Sequence, residues 1–295
     1  MKTEVETMKK TLLLSAAAFL FTAAEGFAFD WPQNAIQSDS FYSYFGQIRG
    51  GTINSSLIFT DSEEIKSAEE GKVVAVISEH SEENELFEST LGNAVIVAHK
   101  DNLQTVYANL DRESQQDRYA LDTVLAGSSF GLCGNTGWQQ GQANLEFQVV
   151  DTKNQVFINP RVLMPRVGKE LELTIQNVTA VNRRGNEYTL GINKRFPSGT
   201  YYLYRKRQEI AMPYRTTIFI NGAAVETISY DMLKEKNGRL CTNGNKSYPS
   251  TQLYPDTNRQ LLAEVSLPKG HNAITIAVID ILGKEVTLTY TMDAY

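Results

Sequence analysis

Gly92-Asn93-Ala94-Val95-Ile96-Val97-Ala98-His99, followed closely by Val106-Tyr107-Ala108-Asn109-Leu110, decides the fold. Two short apolar runs, the first opened by Gly92 and rich in branched side chains, read as β-strands. Upstream stands a third such run, Gly71-Lys72-Val73-Val74-Ala75-Val76. Downstream come the turn signal Gly134-Asn135-Thr136-Gly137, then Asn144-Leu145-Glu146-Phe147 and Asn159-Pro160. Strands are expected at Val73 to Ile77, Ala94 to Ala98, Thr105 to Tyr107, Ser129 to Cys133 and Leu145 to Val150. No long segment carries a helical period.

In their order and spacing, from about Phe45 to Pro165, these segments resemble the lysostaphin-type (LytM) zinc endopeptidases, which cut peptidoglycan cross-links. The resemblance implies a small twisted β-sheet with a groove for a metal. It also implies a zinc ion held by the His and Asp of an HxxxD motif and by the second His of an HxH. Two further His, one in a YxHL-like segment, would assist the chemistry. A catalytic zinc needs three such ligands and an open position for water, which the metal acidifies.

Position by position, those side chains are missing. A gapless alignment to Gly71 puts the HxxxD pair at Thr52 and Ser56, and a shifted one at Asn54 and Ile58. No His lies between Phe29 and Glu79, so no shift restores the motif. Asn109 stands where the YxHL-like His belongs. The HxH reads Asn144-Leu145-Glu146, or Ala143-Asn144-Leu145 without one extra residue. One carboxylate and a set of amides make a poor zinc site. Hence no catalytic residue, metal or cofactor is expected. Asn109, Asn144 and Glu146 are read as a vestigial groove, and Thr52 and Ser56 as degenerate first-ligand positions. The His residues are three, His80, His99 and His271, and each reads as a surface or hydrogen-bonded side chain. No GxSxG elbow and no phosphate-cradling loop is present.

Length and composition supply the rest. The chain has 295 residues, 42% of them hydrophobic, enough for two domains. Its 14 Tyr and 13 Phe suit a strand-rich protein. Lys9-Lys10, the apolar stretch Leu12 to Ala24 and the small residues of Gly26-Phe27-Ala28 read as a signal peptide over 1–28. No later segment is apolar enough for a membrane anchor, and no lipidation Cys follows the signal. The acidic stretch Ser78 to Leu91 reads as a solvated loop. Cys133 and Cys241 read as buried free thiols.

A boundary is expected near Met164-Pro165-Arg166-Val167-Gly168. Residues 29–166 carry 19 Asp and Glu against 9 Lys and Arg, whereas 167–295 carry 12 against 16. A chain of net charge −6 is an improbable nucleic-acid partner. Strand-sized runs continue beyond the boundary, at Leu171 to Ile175, Tyr201 to Tyr204, Thr217 to Ile220, Val225 to Tyr230, Leu261 to Leu267, Ala273 to Ile279 and Val286 to Tyr290. With Asn-Gly, Ser-Gly and Lys-Gly turns they suggest a β-sandwich. Leu267-Pro268-Lys269-Gly270-His271-Asn272-Ala273-Ile274-Thr275-Ile276 resembles the closing strands of bacterial immunoglobulin-like modules.

The expected fold class is therefore all-β: a LytM-type domain over 29–166 and an immunoglobulin-like sandwich over 167–295. The expected function is that of an exported, non-catalytic protein of the periplasmic or extracellular cell envelope. Its partner would be peptidoglycan or a cell-wall hydrolase. The alternative is a zinc-dependent peptidoglycan endopeptidase with altered ligands. A third class is an adhesin-like protein acting through its second half.

Overall fold

A computed structural model describes residues 29–78, 89–115, 123–139 and 142–295. The expected signal peptide, His80 and the acidic residues Glu79, Glu82, Glu83, Glu85 and Glu88 lie outside them. The strands of the first half are β1 Phe41–Ser43, β2 Ile48–Arg49, β3 Thr52–Ile53, β4 Leu57–Phe59, β5 Glu64–Lys66, β6 Gly71–Ile77, β7 Ala94–Ala98, β8 Leu103–Ala108, β9 Thr123–Val124, β10 Ser129–Leu132, β11 Glu146–Asp151 and β12 Val156–Ile158. Those of the second half are β13 Thr179–Asn182, β14 Glu187–Thr189, β15 Arg195–Phe196, β16 Gly199–Lys206, β17 Arg215–Ile220, β18 Ala223–Lys236, β19 Arg239–Gly244, β20 Arg259–Leu267, β21 Gly270–Ile279 and β22 Glu285–Ala294. The fold is all-β, with only short helical turns such as Pro160–Leu163 and Ser250–Leu253. Among the described residues no helix is long and apolar enough to cross a membrane.

The runs that decide the fold form its centre. Ala94 pairs with Ala108 and Ala98 with Gln104, so β7 and β8 make an antiparallel hairpin. Its loop closes through Asp101 and Asn102 at φ 60° and 63°, a left-handed region that short polar side chains tolerate. β11 pairs along β8 on the far side, from Glu146 opposite Ala108 to Asp151 opposite Leu103. Tyr107, Phe130 and Phe147 pack beneath, with ring centroids 4.7 and 5.2 Å apart.

The sheet does not stop at the expected boundary. Its order is β15-β22-β21-β17-β18-β12-β11-β8-β7-β6-β9. The join is the pairing of Val156, Phe157 and Ile158 with Lys234, Leu233 and Met232 of the long strand β18. One apolar core follows this join. Phe45, Leu57, Tyr107 and Phe147 belong to the same buried cluster as Ile228, Tyr230, Leu233, Tyr254 and Leu261. A second cluster fills the space between β17-β21-β22 and a separate sheet of order β14-β13-β16-β20.

One expected strand is absent. Leu171 to Ile175 alternates as predicted, and Leu173 is buried, but the segment pairs with no strand. Side chains serve its backbone instead. Gln208 accepts from Thr174 N–H and donates to the Glu172 carbonyl, and Arg205 donates to the Thr174 carbonyl at 2.8 Å. Alternation reports which side faces inward, and here side chains stand in for the neighbouring strand.

Cys133 and Cys241 are both buried and unbridged. Burial pushes the Cys133 thiol up to about 11. Thiolate is the reactive form. Native protein at pH 8 should therefore react with a thiol reagent at Cys133 far more slowly than denatured protein. Stability contributed by the neutral thiol is complete below the unfolded pKa and lost as pH rises toward 11. Equal labelling rates with and without denaturant would contradict this.

Candidate functional site

Two positions that the resemblance aligns with metal ligands, Ser56 and Glu146, lie where β4 and β11 meet. Ile58 pairs with Glu146 and Leu57 with Phe147, so Ser56 and Glu146 converge. Ser56 Oγ stands 2.9 Å from Glu146 Oε1 and 2.7 Å from Asn54 Oδ1; its single proton serves one of them. Gln139 Nε2 donates to Glu146 Oε2 at 3.2 Å. The remaining partner is a cation. Arg49 Nη1 donates to Glu146 Oε1 at 2.6 Å, and Arg49 Nη2 reaches the Trp138 carbonyl at 3.3 Å. The Glu146 side chain is 5% exposed and that of Arg49 30%. A guanidinium is a permanent charge matched to a carboxylate.

Arg49 enters on the β2–β3 hairpin, directly opposite Thr52. Thr52 itself is exposed. The second half of the chain braces this hairpin. Ser250 Oγ donates to the Gly51 carbonyl at 2.7 Å, Tyr254 Oη to the Gly46 carbonyl at 2.6 Å, and Gln47 Nε2 to the Glu209 carbonyl at 2.9 Å.

The amides of the groove are turned inward. Asn109 is fully buried at φ 63°. Its Oδ1 accepts from Thr136 N–H at 2.9 Å and Gly137 N–H at 2.7 Å. Its Nδ2 donates to the carbonyls of Asn144 at 2.8 Å and Gln142 at 3.1 Å, with Gln139 Oε1 at 3.3 Å. Asn109 thus clamps the loop after β10 and offers nothing to a ligand. Gly92 makes that clamp possible, because a Cβ there would fall 2.3 Å from the Thr136 carbonyl carbon. Asn54 is spent likewise: Nδ2 donates to Ser43 Oγ and to the carbonyls of Tyr44 and Ser56. Asn144 is buried, and its side chain makes no hydrogen bond among the described residues.

The structure therefore brings Ser56, Asn109, Asn144 and Glu146 to one place and leaves Thr52 at its edge. Sequence reasoning missed Arg49 and Gln139. Arg49 sits in Gln47-Ile48-Arg49-Gly50-Gly51, where nothing but a turn is legible. Gln139 lies in a polar loop whose composition resembles many others. Of the other histidines, His99 is held by the Glu70 carbonyl and Thr105 Oγ1, and His271 stands exposed, 3.1 Å from Asp293.

Zinc does not fit these donors. Among the described residues no three His, Cys, Asp or Glu stand close enough to hold a metal. The one carboxylate of the cleft is already paired with a guanidinium. A divalent cation beside Arg49 would meet like charge and one anionic ligand.

Residues 55–160 match the family model of Peptidase family M23. A second family model, which brings no functional description, matches residues 172–295. An uncharacterized protein of Treponema pallidum (strain Nichols) is 33% identical over 120 residues, 38% of this chain and 79% of that protein. The chain belongs to the same family as this Treponema protein, and its residues 55–160 are a peptidase family M23 domain. Two solved structures overlap it in part. One is a zinc containing peptidase from Vibrio cholerae, with 22% identity and a TM-score of 0.34 over 44% of this chain. The chain spans 39% of that peptidase's length. The other is a complex of SpoIIIAH and SpoIIQ, with 17% identity and a TM-score of 0.35, covering 45% of this chain and 96% of that one.

Proposed function

We propose that this is an exported, non-catalytic cell-envelope protein whose M23 domain binds peptidoglycan or regulates a separate wall hydrolase. The observation that carries this reading is the Arg49–Glu146 ion pair. A side-chain cation is paired with the one carboxylate that the resemblance aligns with a ligand position. The basic and apolar N-terminal segment supports export, and the M23 family supports a wall-related partner. Binding would use the rim of the cleft, since the side chains of Asn54 and Asn109 are already satisfied. Trp138 is 69% exposed there, with its carbonyl tied to Arg49. A large aromatic face held on an anchored loop suits a sugar ring or an apolar partner side chain.

Purified exported protein should contain zinc well below one ion per chain and leave cross-linked peptidoglycan uncut, yet sediment with it or activate a wall hydrolase. Trp138→Ala should weaken that association about tenfold. Stoichiometric zinc together with cleavage would establish the endopeptidase reading instead. Loss of every wall and hydrolase interaction would end the binding role.

A further inference from the structure

The four-stranded sheet and the long sheet leave several edges, and these differ in kind. β6 is bulged between Val73 and Ala75 and capped by β9 at Gly71 and Lys72. β20 pairs through a bulge and carries Glu264, which is ion-paired to Lys246 and Arg183. Bulges and charges are the usual protections of an exposed edge. β22 has neither over Val286–Met292. It pairs with β21 in unbroken register from Glu285 to Ala294. On its other side β15 covers only Asp293 and Ala294.

The parity of the free edge follows from that cap. Asp293 N–H donates to the Lys194 carbonyl, and Tyr295 N–H to the Phe196 carbonyl. Odd-numbered residues therefore point their backbone groups outward. Thr287, Thr289 and Thr291 present N–H and C=O that meet no partner among the described residues. All three are exposed. The segment Val286-Thr287-Leu288-Thr289-Tyr290-Thr291-Met292 is uncharged, free of Pro and Gly, and rich in strand-forming residues.

We propose that this edge pairs with the same edge of a second copy of the chain, antiparallel and centred on Thr289. The sequence is nearly symmetric about that residue. Thr289 faces Thr289 of the other copy, and Thr287 faces Thr291. All their outward groups are then satisfied, by about six backbone hydrogen bonds. On the inner side Leu288 meets Tyr290, a favourable aliphatic–aromatic cross-strand pair. Pairing ends where β15 already fills the lane. There Glu285 of one copy comes to the end where Lys194 and Arg195 of the other flank Asp293, a net opposite charge. Ile192, 77% exposed, follows Gly191, which lies against the Tyr290 ring, so the edge is flanked by an apolar side chain that a second copy would cover. The contact is isologous and closes at two chains. It is independent of what the cleft binds.

Sedimentation of the exported chain tests this. The expected result is a concentration-dependent dimer that Thr289→Pro and Thr289→Lys each weaken at least tenfold. The proline removes an outward N–H and spares the β21 ladder, and the lysine places like charges face to face. Unaltered thermal unfolding of either variant keeps the comparison valid. Thr289→Cys should be joined efficiently by a short bis-maleimide, whereas Thr287→Cys, four residues out of register with its own copy, should not. A monomer at every concentration, including one that binds a foreign strand, overturns the proposal. So does a dimer indifferent to both substitutions, or equal cross-linking from positions 287 and 289.

Discussion

Arg49→Ala should lower the free energy of unfolding by about 2–3 kcal/mol, measured by urea denaturation. Breaking a buried ion pair from one side leaves a charge without its partner, a loss of roughly 3–5 kcal/mol. The lower figure applies because the Arg49 side chain keeps 30% of its exposure while Glu146 keeps only 5%. Ser56 and Gln139 cannot replace the guanidinium, because neutral donors leave the net charge of the carboxylate in place. Adding Glu146→Gln to Arg49→Ala should recover most of the loss, since an amide oxygen still accepts from Ser56 or Gln139. The strong non-additivity of the two changes is the signature of direct coupling. A single Arg49→Ala change within about 0.5 kcal/mol of wild type would mean that the pair is a surface contact in energetic terms.

Removing residues 167–295 should abolish cooperative folding of the remainder. The truncated chain loses Leu233 and Met232 as partners of Phe157 and Ile158. It also loses Ile228, Tyr230, Leu253, Tyr254 and Leu261 from the core that Phe45 and Leu57 occupy. A milder form of the same change, Leu233→Ala in the whole chain, should cost about 3 kcal/mol, as for a fully buried leucine replaced by a cavity. Near-ultraviolet circular dichroism and a melting transition of residues 29–166 decide the matter. A sharp transition like that of the full chain would show that the first half carries a sufficient core of its own.

Much of the fold is legible in the chain, and the reason is local. β7 and β21 are rich in branched apolar residues, and β8 and β11 mix Val, Tyr, Phe and Thr with polar residues; such segments favour strands from their own composition. One of the alignments that the resemblance allows sets Ser56 and Glu146 both at ligand positions, and their side chains stand 2.9 Å apart. What is not legible is set by distant parts of the chain. β18 runs on through Asp231-Met232-Leu233-Lys234-Glu235-Lys236, where the apolar–polar alternation breaks, because β12 and β19 lie on either side to receive their backbone. That extension joins the halves, and composition near Pro165 suggests the opposite. Arg49 is hidden for the same reason: its role depends on a carboxylate 97 residues away and on a brace from Ser250 and Tyr254. The inward use of Asn109 is equally invisible, since a residue type says what it can bond and not what it has bonded.

The brace on the β2–β3 hairpin carries a consequence for the order of events at the ribosome. Ser250 and Tyr254 grip carbonyls 199 and 208 residues earlier in the chain. During synthesis, every element of the peptidase-like half emerges long before its fastener. Contacts of such separation form late and slowly. The nascent first half must therefore wait, with Glu146 awaiting its counter-charge, until Ser250 and Tyr254 arrive to seat the hairpin. The cleft of the first half is thus steadied by residues that the second half supplies.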